Sequence, residues 1–144
     1  MPIKNISVKT TLVEGFKIES NVRQHVVVTD QPSAGGGTDT GPTPPEYLLV
    51  SLAGCIVTLA QIIAQQERFL IRNIEVDIEG DLDTDILMGK STDERPGFFS
   101  IQVHVKIDAD MTQEEKEALV HKIDSRCPIS DNLINQTPVK FVVE

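Results

Sequence analysis

The sequence predicts a mixed α+β fold. One long apolar segment repeats at helical spacing, whereas several short segments alternate apolar and polar residues at the period of a strand. The two patterns lie in separate stretches instead of a regular βαβ alternation, which predicts mostly antiparallel sheets with few parallel crossovers. The 144 residues fit a single domain, 1–144. A chain of this size buries roughly 70% of its unfolded surface and needs no disulfide staples.

The elements follow in order. Ile6, Val8 and Leu12 are spaced for an extended segment, Glu14-Gly15 marks a turn, and residues 22–30 form a second β-rich run. Residues 31–45 break regular structure with four glycines and four prolines. A helix is predicted from Pro44 to about Arg68, with Thr43 able to cap it and proline tolerated in its first turn. Its expected stripe is Leu48, Leu52, Cys55, Leu59, Ile62 and Ile63. Small residues (Ser51, Ala53, Gly54, Ala60) fill much of the rest, as suits a buried central helix.

Two alternating strands follow, one carrying Ile74, Val76 and Ile78, the other Ile101, Val103, Val105 and Ile107, joined by a polar loop over 83–96. Thr112 and Glu115 have capping-box spacing ahead of a helix with Ala118, Leu119 and Ile123 on its apolar face. A short helix is predicted after Pro128, over roughly 128–135, and residues 139–143 read as a last strand.

Composition narrows the function. A net charge of −9 argues against nucleic acid and anionic membranes, which both call for a basic face. No stretch reaches about 18 consecutive apolar residues, so no membrane span is expected. No segment reads as a signal peptide, which makes the cytoplasm the expected location. In that reducing compartment a cysteine pair points to catalysis or metal binding more than to a permanent staple.

There are two cysteines. Cys127 precedes Pro128, which places it at the N-cap of the short helix, where free N–H groups and the helix dipole favour a thiolate. Cys55 lies about three turns into its helix and, on local sequence alone, reads as a small core residue. Seventy-two residues separate them, which excludes a C-x-x-C motif and paired C-x-x-C zinc spacing. His25, His104 and His121 show no ligand spacing, so no metal is expected. Gly35-Gly36-Gly37 lacks the Lys-Ser/Thr of a P-loop. The Asp81, Asp83, Asp85 run opens like a calcium loop but has Ile86 where glycine belongs and Thr92 where glutamate belongs.

The runs Asp30-Gln-Pro32, the glycine stretch, Gly41-Pro-Thr-Pro-Pro-Glu46-Tyr-Leu-Leu through Ala-Gly-Cys55, and Cys127-Pro-Ile-Ser130 together resemble the OsmC/Ohr family, the osmotically inducible and organic hydroperoxide resistance proteins. The similarity covers almost the whole chain. It implies a two-layer α+β fold with two central helices in an intertwined homodimer, and both cysteines together at a site on the subunit interface. It further implies reduction of organic hydroperoxides by Cys55 as peroxidatic nucleophile. Cys127 then resolves the sulfenic acid as a disulfide, and a dithiol of lipoyl type or another thiol restores the enzyme. No cofactor is implied.

The resemblance also implies an arginine beside the nucleophile, held by a glutamate. Arg23, on an N-terminal strand, is the first candidate and Arg126 the second. The glutamate match is Glu46, nine residues before Cys55 where the family has ten, a departure that suggests a divergent branch. Nine steps at 100° put Glu46 about 180° from Cys55 around the helix, so its expected role is to orient an arginine or to stabilise the helix N-terminus. The alternatives are a non-catalytic protein holding a small apolar or thiol-bearing ligand on the same fold, and a sulfur carrier with a persulfide on Cys127.

Overall fold

A computed structural model describes all 144 residues. They form two compact units, Met1–Leu48 and Leu49–Glu144.

The first unit is built on an antiparallel sheet of order β1-β2-β3, comprising β1 (Lys9–Glu14), β2 (Lys17–Val22) and β3 (His25–Thr29). The expected run over 22–30 is thus broken. Val22 pairs with His25, and Arg23 and Gln24 form a two-residue turn between β2 and β3. Arg23 therefore does not lie within a strand. Its φ of +53° is the left-handed geometry such hairpins require. The usual Asn-Gly signal is missing here, which hid the turn in the sequence.

After β3 the chain winds around Asp30, which is 1% exposed. Its carboxylate accepts hydrogen bonds from the hydroxyls of Thr38 (2.6 Å) and Thr40 (2.7 Å) and from the amides of Gln31, Thr38 and Thr40. The loop closes tightly enough that a Cβ on Gly37 would lie 2.1 Å from the Gln31 carbonyl oxygen, so only glycine fits there. The two threonine hydroxyls, then the backbone amides, hold the Asp30 carboxyl well below the usual carboxylate range.

The unfolded chain binds that proton more readily. The stabilisation is therefore complete above roughly pH 4 and is lost as the pH falls below it. Asp30→Asn should melt several degrees lower than the unsubstituted protein at pH 7. The gap should narrow as the pH is lowered toward about 2; a gap that stays constant contradicts this role for Asp30.

The first turn of α1 (Pro44–Glu67) belongs to this unit. Tyr47 donates its hydroxyl to the Val28 carbonyl at 2.6 Å, tying the helix start to β3. The Glu46 carboxylate accepts from the Thr43 amide (2.9 Å) and hydroxyl (2.7 Å). This is the glutamate half of a capping box, with Thr43 before the helix and Glu46 at its third position.

The second unit pairs β4 (Ile71–Asp81) with β5 (Ser100–Ala109) and adds the rest of α1, α2 (Thr84–Leu87), α3 (Gln113–Asp124) and α4 (Pro128–Ile134). The antiparallel register sets Ile74 against Ile107, Val76 against Val105 and Ile78 against Val103 on one face, with Glu75 against Lys106 on the other. The core gathers Leu52, Ile56, Leu59, Ala60, Ile63 and Ala64 of α1, Ile107 and Ala109 of β5, and Leu119 and Ile123 of α3. Ile63 and Ile123 are fully buried, each contributing about 2 kcal/mol in transfer free energy.

Three expectations are corrected here. The buried stripe of α1 is rotated from the predicted one: Ile56, Ala60 and Ala64 turn inward, while Leu48 and Ile62 are exposed and Cys55 is half-buried. A helix apolar almost all round carries a weak phase signal. The loop over 83–96 contains α2, capped by Asp83 accepting from the Asp85 amide at 2.9 Å. Residues 139–143 form no strand, since they have no partner in either sheet, and Phe141 and Val143 are exposed. A strand exists as part of a ladder, and alternation alone does not make one.

By length and composition α1 could also cross a membrane, with a mean hydropathy of 2.1. The expectation of no span rested on uninterrupted apolar runs, which Ser51, Thr58 and Gln61 break. Six α1 residues pack into the core of the second unit, as in a core helix.

Candidate active site

The two cysteines meet within the second unit. Their sulfurs lie 3.0 Å apart in a thiol–thiol hydrogen bond, and both are free thiols. Closing to a bond needs only about 1 Å of further approach. Cys127 is 2% exposed and Cys55 half-buried.

Local structure explains the meeting. Pro128 occupies the first turn of α4 and Cys127 caps it, with Sγ accepting from the Ser130 amide at 3.4 Å. The capping role read from the Cys-Pro pair is therefore present. Cys55 lies too deep in α1 to use that helix's own free N–H groups. It receives one from α4 instead, a hydrogen bond from the Ile129 amide. Consecutive amides in the first turn of one short helix thus serve both sulfurs. Sequence reasoning missed this donor, whose signal is the helix opened by Pro128.

Burial dominates the chemistry of Cys55. Desolvation first, then the hydrogen bond from Cys127, push its thiol up to about 11, against a smaller downward pull from the Ile129 amide. No cation is among the groups that shift it. Arg126, the second arginine candidate, donates to the Gln66 side chain at 3.1 Å. Arg23 sits exposed in its turn in the first unit. Glu46 has its Oε1 occupied by Thr43, which lowers its pKa.

Apolar space opens beside helix neighbours of the two cysteines. A cavity of about 240 Å³ is walled by Leu52 and Ile56, which flank Cys55 on α1, and by Val103, Val105, Val120 and Ile123, with His121, Asp124 and Ser130 as its polar members. It shares Leu52, Val103 and Ser130 with a second cavity of about 310 Å³ lined by Phe98, Phe99, Ile101, Leu133 and Ile134. Neither cysteine lines either cavity. A groove of about 420 Å³ runs past Lys106, Lys116 and Glu117 between β5 and α3 and contains no thiol.

An OsmC-like protein from Mycoplasma pneumoniae superposes with a TM-score of 0.80 at 22% identity, over 92% of this chain and 89% of that one. An organic hydroperoxide resistance protein OsmC from Legionella pneumophila gives 0.68 at 19% identity, over 92% and 91%. A putative organic hydroperoxide resistance protein from Vibrio cholerae, with captopril bound in one of its active sites, gives 0.64 at 15% identity, over 93% and 88%. No curated protein sequence matches the chain. At these identities the structural likeness establishes the mixed α+β OsmC-like fold. The family model described as OsmC-like protein matches residues 36–142, most of the chain and both cysteine motifs, and so the chain belongs to the OsmC-like family.

Proposed function

We propose that the protein is a thiol-dependent peroxidase for organic hydroperoxides, with Cys55 as nucleophile and Cys127 as resolving thiol. The observation that carries this reading is the 3.0 Å contact between two free thiols whose residues lie far apart in sequence. Family membership and the hydroperoxide-resistance names of two structural relatives support it.

The Cys55 thiolate attacks a peroxide oxygen. An S–O bond forms, the O–O bond breaks, and the alkoxide leaves and takes a proton as the alcohol. The sulfur, oxidised by two electrons, is now a sulfenic acid. Cys127 attacks that sulfur, the S–O bond breaks, water leaves, and a disulfide joins the pair. A dithiol, of lipoyl type or another thiol, reduces the disulfide and becomes a disulfide itself. The apolar cavities at Leu52 and Phe99 favour an alkyl group over a bare peroxide.

The weak point of Cys55 as nucleophile is its high pKa, and a cation must offset it. Arg23 is our first candidate to supply that charge, oriented by Glu46, whose Oε2 is free of the Thr43 contacts. We place the working site in a homodimer. Apolar residues left open in one chain, among them Val50 and Ile62 of α1 and Phe141 near the C-terminus, suit covering by a second copy. A reducing cytoplasm suits a cycle that regenerates thiols. The same high pKa favours a second reading, a non-catalytic protein that holds a small ligand.

Rates with tert-butyl hydroperoxide and with hydrogen peroxide separate the two readings, measured with a lipoyl dithiol and then a monothiol as reductant. The peroxidase reading expects the alkyl peroxide with the dithiol to be faster by at least about tenfold. Equal rates for the two peroxides, or none above the uncatalysed background, contradict it.

A further inference from the structure

We propose that Asp124 is a positioning residue for Cys127, acting through the hydroxyl of Ser130. Asp124 ends α3, and Cys127 caps α4 after a link of two residues. Three hydrogen bonds close that link on itself. The Cys127 amide donates to the Asp124 carbonyl at 3.2 Å. The Ser130 hydroxyl donates to the Asp124 carboxylate at 2.5 Å. The Ser130 amide donates to the Cys127 sulfur at 3.4 Å. Asp124 therefore holds the thiol from both ends, by its backbone before the cap and by its side chain after it.

Cys127 needs such a hold. It sits at the tip of a helix of seven residues, none of them buried. A helix this short does not sustain itself in water. Its first turn must nevertheless stay fixed to keep the Ile129 and Ser130 amides on the two sulfurs. Ile123, beside Asp124, is 1% exposed and anchors the end of α3 in the core. The charge-assisted Asp124–Ser130 bond carries that anchorage across to α4. In the reduced protein the ordering that disulfide formation requires is then already in place, which raises the effective concentration of one thiol at the other.

The inference rests on reading Cys55 and Cys127 as a dithiol–disulfide couple, and it does not depend on peroxide as oxidant. The test equilibrates the full-length protein with mixtures of reduced and oxidised dithiothreitol. The pair loses two electrons and two protons to form one S–S bond, and the reagent's disulfide gains them. Alkylation and mass spectrometry give the oxidised fraction. Ser130→Ala and Asp124→Ala should each lower the equilibrium constant about tenfold, about 30 mV for a two-electron couple. The double variant should lose no more than either single one, because both remove the same bond. Ser130→Thr, which keeps the hydroxyl, should return to within about twofold of the native value, a rescue that general loosening of the fold would not give. Single variants that both stay within about twofold of native, or losses that add in the double variant, overturn the positioning role. A native protein that forms no Cys55–Cys127 disulfide at any ratio overturns the couple along with it.

Discussion

Given one equivalent of an alkyl hydroperoxide, the Cys127→Ser protein should react once and stop, with Cys55 held as a sulfenic acid. The Cys55→Ser protein should not react above the uncatalysed rate. In steady state both substitutions should lower turnover by on the order of 10³-fold or more, because each removes a bond-forming atom. They differ in what accumulates. A dimedone adduct on Cys55 marks the first variant, while the second gives no adduct and keeps a free Cys127 thiol open to alkylation. The ranking follows from burial. Cys127 is 2% exposed and Cys55 half-buried, so peroxide reaches Cys55 first. A sulfenic acid on Cys127 in place of Cys55 would reverse the assignment.

Arg23→Ala should slow sulfenic acid formation by about 10- to 100-fold and move the pH–rate midpoint upward. Burial pushes the Cys55 thiol up to about 11, which keeps it protonated at neutral pH. A guanidinium within hydrogen-bonding or ion-pair distance lowers a thiol pKa by about one to three units. Removing it returns the thiol toward its buried value, so the rate at neutral pH falls and the curve shifts alkaline. Arg126→Ala is the control, since Arg126 is engaged with Gln66, and its effect should stay within about twofold. Stopped-flow single turnovers across pH 6–10 read both quantities directly. If Arg126→Ala slows the reaction and Arg23→Ala does not, the cation is Arg126.

Much of the fold was legible because local chemistry and tertiary structure agree. Thr43 with Pro44 and Pro45 opens α1 where the sequence says it should. The alternation of Ile74, Val76 and Ile78 with acidic residues gives β4, and its register with β5 pairs apolar with apolar. Thr112 accepts from the Glu115 amide, as its spacing indicates. The features that were not legible depend on partners distant in sequence or on weak periodic signals. Asp30 is fixed by threonines eight and ten residues later, a relation that no period reports. Arg23 adopts a turn geometry without the residues that usually announce it. In the C-terminal segment, alternation proved insufficient without a neighbouring strand.

The site divides in the same way. The motif carried both cysteines, and Pro128 indicated the cap at Cys127. What could not be read was that α4 serves Cys55 as well, through the Ile129 amide. Local reasoning ranked Cys127 as the better thiolate because it saw one helix end and one sulfur. The fold sets two sulfurs at that end, and burial is the largest influence on the Cys55 thiol.

Peptide mapping of the native protein after a single equivalent of tert-butyl hydroperoxide tests the central claim most directly. The account predicts one intramolecular Cys55–Cys127 disulfide per chain, formed with loss of one equivalent of peroxide and reversed by a dithiol. Peroxide left unconsumed, or consumed with both thiols still free to alkylation, would contradict it.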